Sequence, residues 1–271
     1  MKLFKKISNY LFPVRCLGCQ KEGLLFCEEC FKKISYSSSY NLFDRNFKVL
    51  RAERAGSYLE ENFCAFCTRI SKFGSTCSHC KKSYYLNGAL IALYYDNLIR
   101  KLIKSAKYKP YFYSLLEKLT LILVKKIKNS PLYKNYFLKE NFILLPIPLT
   151  LRKKAERGFN QAEIIASTLS LQLNLPLNLK ILKRIKNTKS QSLLNLKERK
   201  ENIKNSFKVD PSKVKGKNFI LVDDLITSGS TINEAAKILK KAGAYKIWAF
   251  ALARNLKNRA SPTPIKIREI N

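Results

Sequence analysis

The sequence predicts an α/β protein, a parallel sheet flanked by helices, preceded by a small cysteine-rich module. Three observations carry this. From residue 88 onward, apolar segments of strand length alternate with segments of helical periodicity, the pattern that builds a parallel sheet. An apolar run at 218–222 ends in two adjacent carboxylates, a hydroxyl-rich loop and then a helix pattern. All eight cysteines fall within the first 80 residues, every one in a Cys-x-x-Cys pair. A chain of 271 residues is long enough for two domains, and 46% hydrophobic content can build a buried core. The expected division is 1–85 for the cysteine module and 86–271 for the α/β domain.

The cysteine module comes first. Cys16/Cys19 and Cys27/Cys30 are followed by Cys64/Cys67 and Cys77/Cys80. Two cysteines at this spacing turn their thiolates to one side, and two such knuckles make a tetrahedral sulfur site suited to zinc. Disulfides fit an even cysteine count too, but uniform Cys-x-x-Cys spacing in a reducing compartment argues against them. Sequential pairing gives a double zinc ribbon-like module. A cross-braced pairing of the first and third knuckles with the second and fourth stays open, because the loops are short for a ribbon. His79, the sole histidine, sits between Cys77 and Cys80 and is read as a bystander rather than a ligand. Four protein ligands leave no open position, so the expected Zn²⁺ is structural and supplies much of the module's folding free energy. Residues 31–63 carry no assignable pattern.

The α/β domain follows. A strand is expected at 88–95, a basic helix at 97–107 and a second helix at 113–128. A buried-type strand at 142–145 leads to Pro146 and Pro148, which force an extended exit. A basic loop at 152–160 precedes a helix at 161–173, a strand near 181–185 and a polar segment reaching Phe207. The strand–loop–helix at 218–239 and a last strand at 244–253 complete the alternation. Ligands of such sheets bind at the carboxyl ends of the strands, where the loop at 227–231 leaves its strand.

That loop has a specific chemistry. Backbone N–H groups at a helix start lack intrahelical partners, and the helix dipole adds partial positive charge there. A phosphate in the loop would satisfy them. Gly229 permits close backbone approach, while the hydroxyls of Thr227, Ser228, Ser230 and Thr231 add donors. Asp223 and Asp224 are acceptors that repel phosphate and suit a ribose diol. The arrangement reads as carboxylates on a sugar and the loop on its 5′-phosphate. Arg152, Lys153 and Arg157 follow the proline exit, within reach of a pyrophosphate at the same edge.

The 223–231 segment resembles the phosphoribosyl pyrophosphate (PRPP) motif of type I phosphoribosyltransferases, with Ser228 standing where a second threonine is usual. Arg-Gly-Phe-Asn-Gln at 157–161 and the spacing of Arg184, Thr188, Gln191, Leu194, Arg199, Asn202 and Phe207 further resemble the ComF (competence protein F) family. That resemblance implies a zinc-binding module ahead of a type I phosphoribosyltransferase-like domain that takes PRPP with Mg²⁺. Gln191, Arg199 and Asn202 would form a hood over the site. It also implies a role in natural transformation, handling incoming single-stranded DNA in the cytoplasm beside a helicase-like partner. An active phosphoribosyltransferase of nucleotide metabolism is the alternative, and the sequence names neither its acceptor nor a general base.

Charge and hydropathy bound the rest. With 52 basic against 19 acidic residues the net charge is +33, a surface that attracts polyanions without choosing among them. No apolar run approaches a membrane span. The start of the chain has lysines, but asparagine, serine and proline interrupt its apolar stretch, and a cytoplasmic location is expected.

Overall fold

The computed structural model describes residues 14–40, 64–67, 69, 71–108, 113–130, 132–186 and 196–254. The first helix, α1 (Glu28–Tyr40), lies in the stretch left unassigned from sequence, and a one-turn helix α2 (Ser78–Lys81) carries Cys80. The α/β part then runs β1 (Gly88–Tyr94), α3 (Asn97–Tyr108), α4 (Tyr113–Asn129), β2 (Phe142–Pro146), α5 (Leu151–Arg157) and α6 (Gln161–Leu173). It continues with β3 (Lys183–Arg184), α7 (Leu196–Ile203), β4 (Phe207–Lys208), β5 (Asn218–Ile226), α8 (Ser230–Lys241) and β6 (Ile247–Arg254).

The main sheet has the order β1-β6-β5-β2 and every pairing is parallel. Strands buried on both faces read as continuous apolar runs, and all eight residues of β6 are buried. Side chains alternate between faces. Ile220 and Val222 pack with α3, α4 and α6 through Leu102, Leu123, Ile165 and Leu169. Phe219 and Leu221 pack with α8 through Ile232, Ala235, Ala236 and Leu239. Each such buried side chain contributes about 1.5–3 kcal/mol of transfer free energy. On the α3/α4/α6 face Phe137 stands edge-on to Phe142, Trp248 and Phe250 at centroid distances of 5.2, 5.3 and 5.3 Å. Gly88 has no substitute here, because a Cβ would sit 2.4 Å from the Trp248 ring.

The two cysteine segments flank this sheet on opposite faces. Cys16, Phe26, Cys30 and Ile34 join the α3/α4/α6 side, whereas Cys64, Phe66, Cys80 and Leu86 join the α8 side.

Four local expectations change. The basic stretch expected as a loop holds helix α5, which Thr150 caps by accepting from Lys153 N at 3.3 Å and Gly158 ends at φ +75°. The strand expected at 181–185 shrinks to Lys183–Arg184, antiparallel to Phe207–Lys208, so it forms a ribbon apart from the main sheet. The polar segment before Phe207 contains α7. Strand β5 does not stop before the carboxylates, since Asp223, Leu225 and Ile226 keep their β6 partners. Among the described residues no helix is long and apolar enough to cross a membrane.

Candidate functional site

Asp223 and Asp224 stand together on β5, close enough for their carboxyl groups to interact directly and for both to feel Lys107. Asp224 is buried on the α3 side, where Lys107 Nζ lies 2.5 Å from its Oδ2, with side-chain exposures of 22% for the lysine and 10% for the aspartate. Burial pulls the Lys107 ammonium down, but the Asp224 carboxylate outweighs it and holds the lysine above its ordinary value. Asp223 is half-buried beside it. Burial, reinforced by the charge of Asp224, pushes its carboxyl up to about 8, against the pull of Lys107 and of the Asp224 amide. That amide donates to Asp223 Oδ1 at 2.9 Å.

Cations gather around this pair. Burial depresses Lys153, and the neighbouring charges of Arg184, Arg157 and Lys107 depress it further, which puts all four in one electrostatic neighbourhood. Arg184 feels Asp223, donates through Nη1 to Pro148 O at 3.4 Å and lies 5.5 Å over the Phe207 ring. Arg157, on the last turn of α5, donates to Gln161 Oε1 at 3.1 Å. Helix α5 turns the two ends of the basic stretch differently. Arg152 is 82% exposed and pairs with Glu156 at 2.8 Å, so it does not join the group. Gln191 lies outside the described residues; Arg199 is on α7, with its side chain likewise outside them.

Thr227 and Ser228 link β5 to α8, which begins at Ser230 with Gly229 as its cap at φ +75°. Ser228 Oγ lies 2.9 Å from Ser230 Oγ and accepts from Ser230 N at 3.3 Å, closing a tight turn over the helix start. All five loop residues therefore stand at the N-terminus of a 12-residue helix, one residue beyond the strand that carries both aspartates. Donors for a phosphate, acceptors for a diol and cations for a second anion meet at one end of the sheet. Lys107 was not singled out from sequence. Its signal was its position, the last basic residue of a helix that follows a strand of the same sheet.

The cysteines assemble sequentially: Cys16, Cys19, Cys27 and Cys30 form one group, Cys64, Cys67, Cys77 and Cys80 the other. Within each group the sulfurs all lie within 4.8 Å of one another, and Cys19–Cys27 and Cys67–Cys77 are 3.6 and 3.4 Å apart. A tetrahedral zinc site with 2.3 Å arms has sulfurs about 3.8 Å apart, so both groups fit such an ion. Backbone amides support the thiolates: Cys27 N donates to Cys16 Sγ at 3.4 Å, and Phe66 N and Cys77 N donate to Cys64 Sγ at 3.5 Å. Burial pushes Cys16 up, but the amides of Cys19, Cys27 and Gly18 outweigh it and take the thiol down to about 6. His79 is exposed on α2 and belongs to neither group.

Residues 155–270 match the phosphoribosyl transferase domain family. Competence protein F of Haemophilus influenzae is 32% identical over 228 residues, covering 77% of this chain and 97% of that protein. Competence protein ComFC of Bacillus subtilis is 27% identical over 248 residues, covering 88% and 97%. DNA utilization protein YhgH of Escherichia coli is 34% identical over 113 residues, covering 42% of this chain and 49% of its own length.

Proposed function

The chain belongs to the competence protein F family, and we propose that its phosphoribosyltransferase-like domain binds PRPP, or a closely related sugar phosphate, in the service of handling incoming single-stranded DNA. The observation that carries this reading is the meeting of Asp223 and Asp224 with the 227–231 loop and the cations Lys107, Lys153, Arg157 and Arg184. In it the loop amides and hydroxyls take the 5′-phosphate, the aspartates accept from the ribose hydroxyls, and the cations face the pyrophosphate. Mg²⁺ would accompany the pyrophosphate and neutralise part of its charge. Zn²⁺ held by the two cysteine groups would be structural, within a cysteine-rich module at 1–85 ahead of the domain at 86–271.

The DNA part draws on the relatives, two competence proteins and a DNA utilization protein, and on charge. Arg100 and Lys104 stand exposed at i and i+4 on α3, and Lys107 continues the same helix face to Asp224. Such a row suits phosphate contacts whose strength falls with salt. A cytoplasmic location and a helicase-like partner belong to the same proposal. The enzymatic reading, transfer of ribose 5-phosphate from PRPP to an acceptor, is favoured by the cations gathered where pyrophosphate would depart.

The test is binding of Mg²⁺-PRPP and of a single-stranded oligonucleotide, separately and in competition. The proposal expects both to bind, with oligonucleotide affinity falling steeply between low and physiological salt. Oligonucleotide binding with no PRPP binding would end the sugar-phosphate reading, and PRPP binding with none to DNA would favour the enzyme.

A further inference from the structure

The second cysteine group reaches the phosphate loop through one aromatic side chain. Phe66 lies between Cys64 and Cys67, and its carbonyl accepts from Arg254 Nη2 at 2.6 Å, which ties the knuckle to the end of β6. Tyr84 stacks on Phe66 with ring centroids 4.2 Å apart and planes 20° from parallel. Its amide donates to Cys80 O at 2.9 Å, fixing the ring's origin to the fourth cysteine. The far end of the same ring meets the loop. Tyr84 Oη donates to Ser228 O at 3.1 Å, and a Cβ on Gly229 would come within 3.1 Å of the ring. The neighbours of Tyr84 bind the first turn of α8, where Asn233 accepts from Tyr85 N at 2.8 Å and donates to Ser83 O at 2.9 Å.

Gly229 takes a positive φ, and Thr227 to Thr231 present their amides to a ligand only if that turn is held. Holding it before the ligand arrives removes an ordering cost from binding. We propose that Tyr84 is a positioning residue for the phosphate loop, anchored by the second cysteine group. Metal occupancy of Cys64, Cys67, Cys77 and Cys80 then sets how tightly residues 227–231 hold a phosphate. The first cysteine group packs on the opposite face, among the α3 and α4 side chains, and serves as the internal control. The phosphate-affinity half of this inference rests on the sugar-phosphate reading; the mechanical half does not.

The experiment is amide hydrogen exchange on the ligand-free full chain, followed by Mg²⁺-PRPP titration of the same samples. Wild type, metal-stripped and remetallated protein are compared with Tyr84→Phe, Tyr84→Ala, Cys67→Ser and Cys19→Ser. Exchange at 228–231 is expected to rise about tenfold or more on stripping, in Tyr84→Ala and in Cys67→Ser, and to rise less than about threefold in Tyr84→Phe, which keeps the ring. Remetallation restores the wild-type rate, stripping Tyr84→Ala adds little, and α6 exchange stays unchanged throughout. PRPP affinity falls in parallel with loop exchange. Unchanged loop exchange in Tyr84→Ala or Cys67→Ser overturns the inference, as does a loop response to Cys19→Ser equal to that of Cys67→Ser. An equal rise across α6 and the loop overturns it as well, since that is general destabilisation. Loop exchange that responds as expected in a protein that never binds PRPP sinks the sugar-phosphate reading and keeps the coupling.

Discussion

The two faces of the sheet are assembled from matching parts, a cysteine group and packed helices each, yet they give those parts different tasks. On the α3/α4/α6 face the cysteine group contributes Cys16, Phe26 and Ile34 to the main core. On the α8 face the cysteine group leans on the 227–231 loop through Phe66 and Tyr84. One cysteine group packs only into the core, and the other reaches the candidate site.

Disabling one cysteine group at a time should break this symmetry most. Ligation of a structural zinc contributes on the order of 10 kcal/mol to folding of a small module. Cys64→Ser is expected to unfold the segment 64–87 and weaken PRPP binding strongly, whereas Cys16→Ser loosens residues 14–34 and largely spares the loop; hydrogen exchange separates the two. Equal damage to the loop from both would erase the distinction between the faces.

The aspartates come next. Lys107→Met leaves the Asp224 carboxylate buried without its cation, a loss of about 3–5 kcal/mol in denaturant unfolding, and adding Asp224→Asn should recover much of it. A loss under about 1 kcal/mol would mean that water already solvates Asp224. For Asp223 the sign follows from a folded-state pKa raised to about 8 above the ordinary 3.8. The folded state holds the proton that the unfolded chain releases, so this stabilisation is full below about 4 and lost as pH rises through about 8. Asp223→Asn is therefore expected to change stability little at pH 5 and to raise it by on the order of 1–3 kcal/mol at pH 9, read from thermal midpoints. A flat difference across pH would place Asp223 in an environment like that of an exposed carboxylate.

The smallest effect belongs to Arg152. Exposed at 82% and paired only along its own helix, it should lose under about 0.5 kcal/mol as Arg152→Ala and leave PRPP affinity intact. Tenfold weaker PRPP binding would return it to the anion ligands expected from sequence.

Much of this was legible because it is local. Alternating strand and helix periodicity gave the sheet, and adjacency in sequence put Asp223, Asp224 and the 227–231 loop together. The signals for α5 were also present, a threonine cap at 150 and a glycine stop at 158, but its run of charges reads equally well as a loop. What escaped depends on distant contacts. Lys107 finds Asp224 and Tyr84 finds Ser228 across more than a hundred residues, and no spacing rule encodes either meeting. The cysteine pairing was undecided for the same reason, because sequential and cross-braced arrangements share one spacing and only packing on the sheet separates them.

The most direct test of the central claim is calorimetric titration of Mg²⁺-PRPP into the wild type and into the Asp223→Asn/Asp224→Asn double variant. The account expects saturable binding by the wild type and at least about a hundredfold loss in a variant that still unfolds cooperatively, since two ribose acceptors are changed at once. A folded variant that binds PRPP as tightly as the wild type, or a wild type that does not bind it at all, would contradict the account.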